Sequence, residues 1–138
     1  MHEHLFCGIH IIGELYGVEP GLLNNEVFLK EHLTRGIFAS GAHLCSWQVK
    51  KFEPEGVTLL GLLSESHVSV HTYPAYQALF FDAFTCGASC DPEKIAQVLA
   101  QALKPSSQHY EKITRGTLQM SENCQVAKDL RDIRDILA

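Results

Sequence analysis

An α+β fold is the prediction for this sequence: a two-layer α/β sandwich, with a mainly antiparallel sheet and helices on one face. Three observations carry it. Six extended stretches and two helical stripes follow one another in the order β-α-β-β-β-β-α-β. The 138 residues are 46% apolar, which suits one domain with a real core. No linker is long enough to divide the chain, so residues 1–138 are expected to form a single domain.

Each element has its own reason. Residues 5–16 alternate as a strand, with Cys7, Ile9 and Ile11 on one face and His10 and Ile12 on the other. Asn24 or Asn25 can cap a helix that turns Val27, Leu29, Leu33 and Ile37 inward and ends by Gly41. Three extended stretches follow at 43–52, 57–63 and 68–73, separated by Glu53-Pro54-Glu55-Gly56 and by the junction at 64–67. Residues 78–85 make a further strand. Asp91-Pro92-Glu93 then opens a second helix as cap, first-turn proline and first-turn acid, with Ile95, Val98, Leu99 and Ala102 as its buried stripe. Residues 108–114 give the last strand, closed by Arg115-Gly116. Val126, Leu130, Ile133 and Leu137 recur at helical spacing, so 119–138 is expected to be a loosely packed C-terminal helix. A sheet with helices on one face leaves the other to be covered or used, and dimerisation is a natural way to do so.

Composition narrows the function. Net charge is −5 with no cluster of Lys and Arg, which argues against nucleic acid or an anionic membrane as partner. No apolar run approaches the length of a membrane span, and the start Met1-His2-Glu3-His4 lacks the basic and apolar regions of a secretory signal. Five cysteines (Cys7, Cys45, Cys86, Cys90 and Cys124) are an odd set without framework spacing, so reduced thiols in a cytoplasm are expected. Cys86 and Cys90, in Cys-Gly-Ala-Ser-Cys, do not match the redox or zinc spacing.

The chemistry concentrates in Leu63-Ser64-Glu65-Ser66-His67-Val68-Ser69-Val70-His71-Thr72-Tyr73. Ser66 follows an acid at a tight junction between two strands. A hydroxyl held over the preceding carbonyl can attack it, relieving local strain in an N→O acyl shift. The ester then breaks by β-elimination once a base removes the serine α-proton, and hydrolysis of the dehydroalanine leaves a pyruvoyl group. A histidine suits that proton near neutral pH, and His67 and His71 are the candidates. The bland account is a mute serine beside two hydrogen-bonded strand histidines. A metal site on His67, His71 and Cys86 lacks a completing acid nearby, so no metal is expected. On these residues alone the bland account stays ahead.

Ser64-Glu65-Ser66-His67-Val68-Ser69-Val70-His71-Thr72-Tyr73-Pro74, followed by Asp82-Ala83-Phe84-Thr85-Cys86-Gly87, resembles the prokaryotic S-adenosylmethionine decarboxylase proenzymes, pyruvoyl-dependent decarboxylases. Looser similarity runs from Gly8-Ile9-His10 through Arg115-Gly116. The resemblance implies self-cleavage between Glu65 and Ser66 into a β chain 1–65 and an α chain 66–138. Ser66 would become the covalent pyruvoyl cofactor, His71 would be the proton acceptor in processing, and Cys86 the proton donor in catalysis. A homodimer of cleaved protomers, two α and two β chains, is also implied. The pyruvoyl ketone would form a Schiff base with the substrate amine and take up electrons as CO2 leaves, with no other cofactor. Cys86 would return a proton to the former α-carbon. Its bland alternative, a small buried apolar residue, fits Cys7 and Cys45 better.

For substrate binding, Phe52 and Tyr73 match aromatic positions that stack on adenine in that family, and Glu14 matches an acidic position near its first strand. Core or strand-edge packing is the competing role for both aromatics. The departure is Ala75: the family usually follows His-Thr-aromatic-Pro with a glutamate suited to grip the ribose diol. Its loss costs roughly 1.5–3 kcal/mol, or ten- to hundred-fold in affinity, unless Glu14 or Asp82 compensates. Three functions follow. The first is decarboxylation of S-adenosylmethionine for spermidine synthesis. The second, favoured by Ala75, is the same machinery acting on L-ornithine or L-arginine. The third is an unprocessed binding subunit, against which Ser66, His71 and Cys86 argue. Retention of Phe52 and Tyr73 keeps the first ahead.

Overall fold

Stretches rich in β-branched, aromatic and other apolar residues produce six strands, and a computed structural model describes them within residues 6–116. The strands are β1 (Gly8–Tyr16), β2 (Leu44–Lys51), β3 (Val57–Leu63), β4 (Ser66–Tyr73), β5 (Ala78–Cys86) and β6 (Ser107–Arg115). They form one antiparallel sheet in the order β2-β3-β4-β5-β1-β6. Three helices, α1 (Pro20–Leu23), α2 (Glu26–Ser40) and α3 (Glu93–Leu103), accompany it. The Met1-His2-Glu3-His4 start, Cys124 and the helix expected over 119–138 lie outside the described residues.

One face of the sheet makes the core. Ile11 and Leu15 of β1, Val57 and Leu59 of β3, Val68 and Val70 of β4, and Leu79 and Phe81 of β5 are buried against the helices. Each fully buried Leu or Ile side chain contributes about 1.5–3 kcal/mol. Asn25 caps α2 by accepting the Phe28 N–H at 3.0 Å, and Gly41 ends it with a left-handed φ of 87°. Gly36 lets α2 meet α3 closely, because a Cβ there would lie 3.2 Å from the Ile95 Cα.

Several expectations are corrected. Val27 is 75% exposed: the inward stripe of α2 is Leu29, Leu33, Gly36, Ile37 and Ser40, and Val27 falls off its arc. The stripe of α3 is Ile95, Ala96, Leu99 and Leu103, with Val98 and Ala102 only half-buried at its edge. Asp91 caps α3 one residue further out than expected, accepting the Glu93 N–H at 3.1 Å while Pro92 takes the cap position. Cys45 is exposed, since it lies on β2 at the sheet edge, whereas Cys7 is fully buried and disulfide-bonded, against the expected set of reduced thiols. The four-residue α1 and a 3-10 turn at Pro74–Tyr76 were too short for periodicity to reveal.

The second face of the sheet carries a different population. Ile12, Leu60, Leu62, Tyr73, Phe80 and Ile113 are exposed there, each at least 39% accessible. Among them stand His10, Glu14, His67, Ser69, His71 and Asp82. Part of the exposed apolar surface and a cluster of titratable side chains are therefore gathered on this face, while Val27 and Phe38 stay exposed on α2.

Candidate active site

Only Ser64 and Glu65 separate β3 from β4, because Leu63 pairs with Ser66. Two-residue hairpins favour turns with positive φ at their central residues, usually supplied by glycine. This turn has no glycine. Instead Ser66 itself adopts a φ of 150°, a region that costs a side-chain-bearing residue on the order of 1–3 kcal/mol. The peptide ahead of it is held on two sides. The Glu65 carbonyl accepts the Cys86 N–H at 3.0 Å, and the Glu65 carboxylate takes the His43 N–H at 2.9 Å and contacts His43 Nδ1 at 3.0 Å. Burial pushes the Glu65 carboxyl upward, but the His43 hydrogen bonds outweigh it and hold the group below its ordinary value. The Ser66 hydroxyl lies 3.7 Å from the Cys86 thiol. Thr85, paired with Ser66 across the strands, has a buried hydroxyl with no hydrogen bond.

The other end of β4 is built for space. His71 Nδ1 is 3.2 Å from the Thr58 hydroxyl on the neighbouring strand. Both line a cavity of about 460 Å³ whose walls include Phe52, Glu55 and Tyr73. His71 also lines a second cavity of about 470 Å³, with Glu14, Ser69, Phe80 and Asp82. Glu14 accepts the Tyr16 hydroxyl at 3.1 Å, and the Tyr73 and Phe80 rings lie 4.9 Å apart.

The expected site residues thus form two groups. Ser66 and Cys86 meet at one end, while His71, Phe52 and Tyr73 meet at the other with Glu14 nearby. Five residue steps of extended strand separate Ser66 from His71, about 16 Å at ~3.3 Å per step. Within one chain His71 does not reach Ser66.

Between the two ends lies a polar network. Asp82 Oδ2 is 2.8 Å from both His10 Nε2 and His67 Nε2, and the Ser69 hydroxyl donates to Asp82 Oδ1. Burial raises the Asp82 carboxyl, yet the bonds from Ser69, His10 and His67 prevail and depress it. The ligand atoms of His10, His67 and Asp82 lie within 4.8 Å of one another, so this trio could hold a metal ion; it differs from the His67, His71 and Cys86 set weighed on sequence. Its members are already spent on one another.

Sequence reasoning passed over Thr58, His43, His10 and Glu55. Thr58 was open to discovery: once the two-residue turn is placed at 64–65, counting back along the hairpin sets it opposite His71. His43 and His10 arrive from distant strands, and no local spacing announces them.

Comparison with known proteins gives a consistent picture. Residues 9–116 match the family model described as S-adenosylmethionine decarboxylase. The chain is 42% identical over 114 residues to S-adenosylmethionine decarboxylase proenzyme 2 of Bacillus cereus, covering 83% of this chain and 93% of that one. It is 37% identical to the S-adenosylmethionine decarboxylase proenzyme of Methanococcus maripaludis, over 83% of this chain and 94% of the relative. The crystal structure of the adenosylmethionine decarboxylase from Aquifex aeolicus superposes with a TM-score of 0.76 at 26% identity, covering 88% of this chain and 97% of its own.

Proposed function

This chain belongs to the S-adenosylmethionine decarboxylase family, and from that premise we propose that Ser66 converts itself into the pyruvoyl group on which the reaction depends. The activity is that of a carboxy-lyase, decarboxylation of S-adenosylmethionine in polyamine synthesis. No relative reported above supports the ornithine or arginine alternative.

One observation carries the proposal: a strained serine whose preceding carbonyl is already polarised by a backbone N–H. Attack by the Ser66 oxygen on the Glu65 carbonyl carbon moves the C=O electrons onto oxygen, where the Cys86 N–H can stabilise them. Collapse breaks the Glu65–Ser66 C–N bond, the nitrogen takes a proton, and an ester results. A base then removes the Ser66 α-proton, the Cβ–O bond breaks, and Glu65 leaves as a carboxylate. The remaining enamine tautomerises, adds water and loses ammonia, so that chains 1–65 and 66–138 are produced. The residues fit the pyruvoyl group on structural grounds, because the side chain of its precursor, Ser66, lies beside the Cys86 thiol. Once formed, the group supplies an electrophilic carbonyl and an electron sink for loss of CO2.

The surrounding side chains take defined tasks. Cys86 delivers a proton to the carbon that has lost its carboxylate. Phe52 and Tyr73 wall the cavity that takes the adenine, with Glu14 in the adjoining cavity. His71, its ring oriented by Thr58, is the base of processing. Because about 16 Å separates His71 from its own Ser66, the base acts on the Ser66 of a second copy. Two protomers stacked through their helix-free faces, antiparallel along β4, would set each His71 near the other Ser66. They would also cover the exposed Ile12, Leu60, Leu62 and Phe80. The working enzyme is accordingly a homodimer of cleaved chains. No described helix is long and apolar enough to cross a membrane.

Mass spectrometry of purified protein tests the reading. Fragments 1–65 and 66–138 are expected, the second with a blocked N-terminus, together with CO2 release from S-adenosylmethionine. An intact chain, or an ordinary serine amine at residue 66, would overturn it.

A further inference from the structure

We infer that His43 is a positioning residue for self-cleavage, acting through the side chain of Glu65; this rests on the reading of Ser66 given above. Three hydrogen bonds join His43 to the turn that precedes the cleaved bond. The His43 N–H donates to Glu65 Oε1 at 2.9 Å, His43 Nδ1 lies 3.0 Å from Glu65 Oε2, and the Ser64 N–H donates to the His43 carbonyl at 2.9 Å. A carboxylate gripped by both of its oxygens cannot rotate about its terminal bond, and Glu65 is half-buried while doing so.

The consequence lies one atom away. The same residue presents its carbonyl to the Cys86 N–H at 3.0 Å. Glu65 is therefore pinned at two points, its side chain to β2's entry and its main chain to the end of β5. Two pins fix the plane of the peptide that Ser66 must attack, and hold it while Ser66 keeps its φ of 150°. Without the side-chain pin, the glycine-free turn can relax by rotating the Glu65–Ser66 peptide, which removes strain and misdirects the carbonyl. His43 touches no reacting atom. Its effect is on the first step, addition of the Ser66 oxygen to the Glu65 carbonyl carbon, before any ester exists.

The test follows cleavage of the full chain with time after synthesis by in vitro translation. His43→Leu removes the Nδ1 contact and keeps the backbone bonds, so cleavage should slow about ten-fold, the scale of one charge-assisted hydrogen bond. His43→Asn can return an amide donor to the Nδ1 position and should cleave within about two-fold of the parent chain. Glu65→Ala removes both side-chain bonds and should be slower still, and adding His43→Leu to it should change nothing further. Hydroxylamine should not split His43→Leu faster than water does, since no ester accumulates. The inference is overturned if His43→Leu cleaves at the parent rate, if His43→Asn is as slow as His43→Leu, or if the double variant is slower than Glu65→Ala alone. Failure of the parent chain itself to cleave at Glu65–Ser66 would overturn the underlying reading instead.

Discussion

The two ends of β4 are opposites. At its start, Ser66 holds a backbone angle suited to glycine, and the residue before it is tied down through both main chain and side chain. At its end, Thr72 and Tyr73 pair regularly with Leu79 and Ala78, and His71 opens onto two cavities. The first region stores conformational energy and offers little room. The second stores none and offers room for a nucleoside. Breaking a peptide bond from within needs a fixed trajectory, whereas accepting a substrate needs volume. One strand cannot supply both at one point, so the candidate residues are divided between its ends, and the homodimer proposed above would reunite them.

Removing the hydroxyl at the strained end should have the largest effect. Ser66→Ala is expected to leave a single full-length chain and no measurable CO2 release, read by mass spectrometry and by a radiometric assay. Fragments from that variant would place the nucleophile elsewhere.

The next test addresses the separation itself. His71→Ala should stall at the ester, so that hydroxylamine splits the chain where water does not. Co-expression of His71→Ala with Ser66→Ala should restore cleavage of the His71→Ala chain alone, because that chain keeps Ser66 and its partner keeps His71. A tag of different mass on each chain identifies which one is cut. Absence of cleavage in the mixed dimer would mean that His71 acts within its own chain, against the distance along β4.

Much of this contrast could be read before any coordinates. The apolar run of Val57 to Leu63 and the β-branched run of Val68 to Thr72 announced two strands, and their short junction announced the hairpin. Strain at the junction was expected, but its seat on Ser66 was not legible, since a two-residue turn places positive φ by default on its central residues and not on the residue after them. The clamp on Glu65 was hidden as well. His43 is 22 residues away in sequence, and only closure of β2 on β3 brings it there. The Asp82 network joins three strands that are neighbours only in the folded order β4-β5-β1, so strand identity was visible in the sequence but strand adjacency was not. Burial of Val27 was expected from a helical stripe one position too wide, and at 75% exposure it shows that a stripe's flank faces water when only one sheet lies beneath the helix.

In the proposed reaction Cys86 would join the strained end to turnover. Cys86→Ala should still cleave, since its main-chain N–H remains to bond the Glu65 carbonyl. Its turnover should fall by roughly 10²-fold or more, as expected when a positioned proton donor is removed. Misplaced protonation should also shorten the enzyme's working life, seen as curved progress traces. Linear traces at the parent rate would assign the proton to another group.

The open end can be sharpened instead of broken. Ala75 is exposed on the 3-10 turn that follows Tyr73, at the margin of the aromatic cavity. Ala75→Glu should lower KM for S-adenosylmethionine about ten-fold with little change in kcat, if the carboxylate gains both ribose hydroxyls. An unchanged KM would mean that a group already in the cavity, such as Glu55, holds the ribose.

The smallest effect is expected midway along the strand, where Asp82 ties β4 to β5 and β1. Its carboxyl is held below the ordinary value of 3.8 in the folded chain, because the bonds from Ser69, His10 and His67 outweigh its burial. A depressed folded-state value means that the unfolded chain binds the proton first as pH falls. The stabilisation is therefore complete above about pH 4 and fades as pH drops through the folded-state value. Asp82→Asn cannot titrate, so its Tm should fall less steeply over that acid range while starting lower at neutral pH. Parallel Tm profiles for the two proteins would show that the network binds the strands without coupling them to pH. Cleavage in Asp82→Asn should nonetheless proceed, since His43 and Cys86, not Asp82, hold the Glu65 side chain and carbonyl.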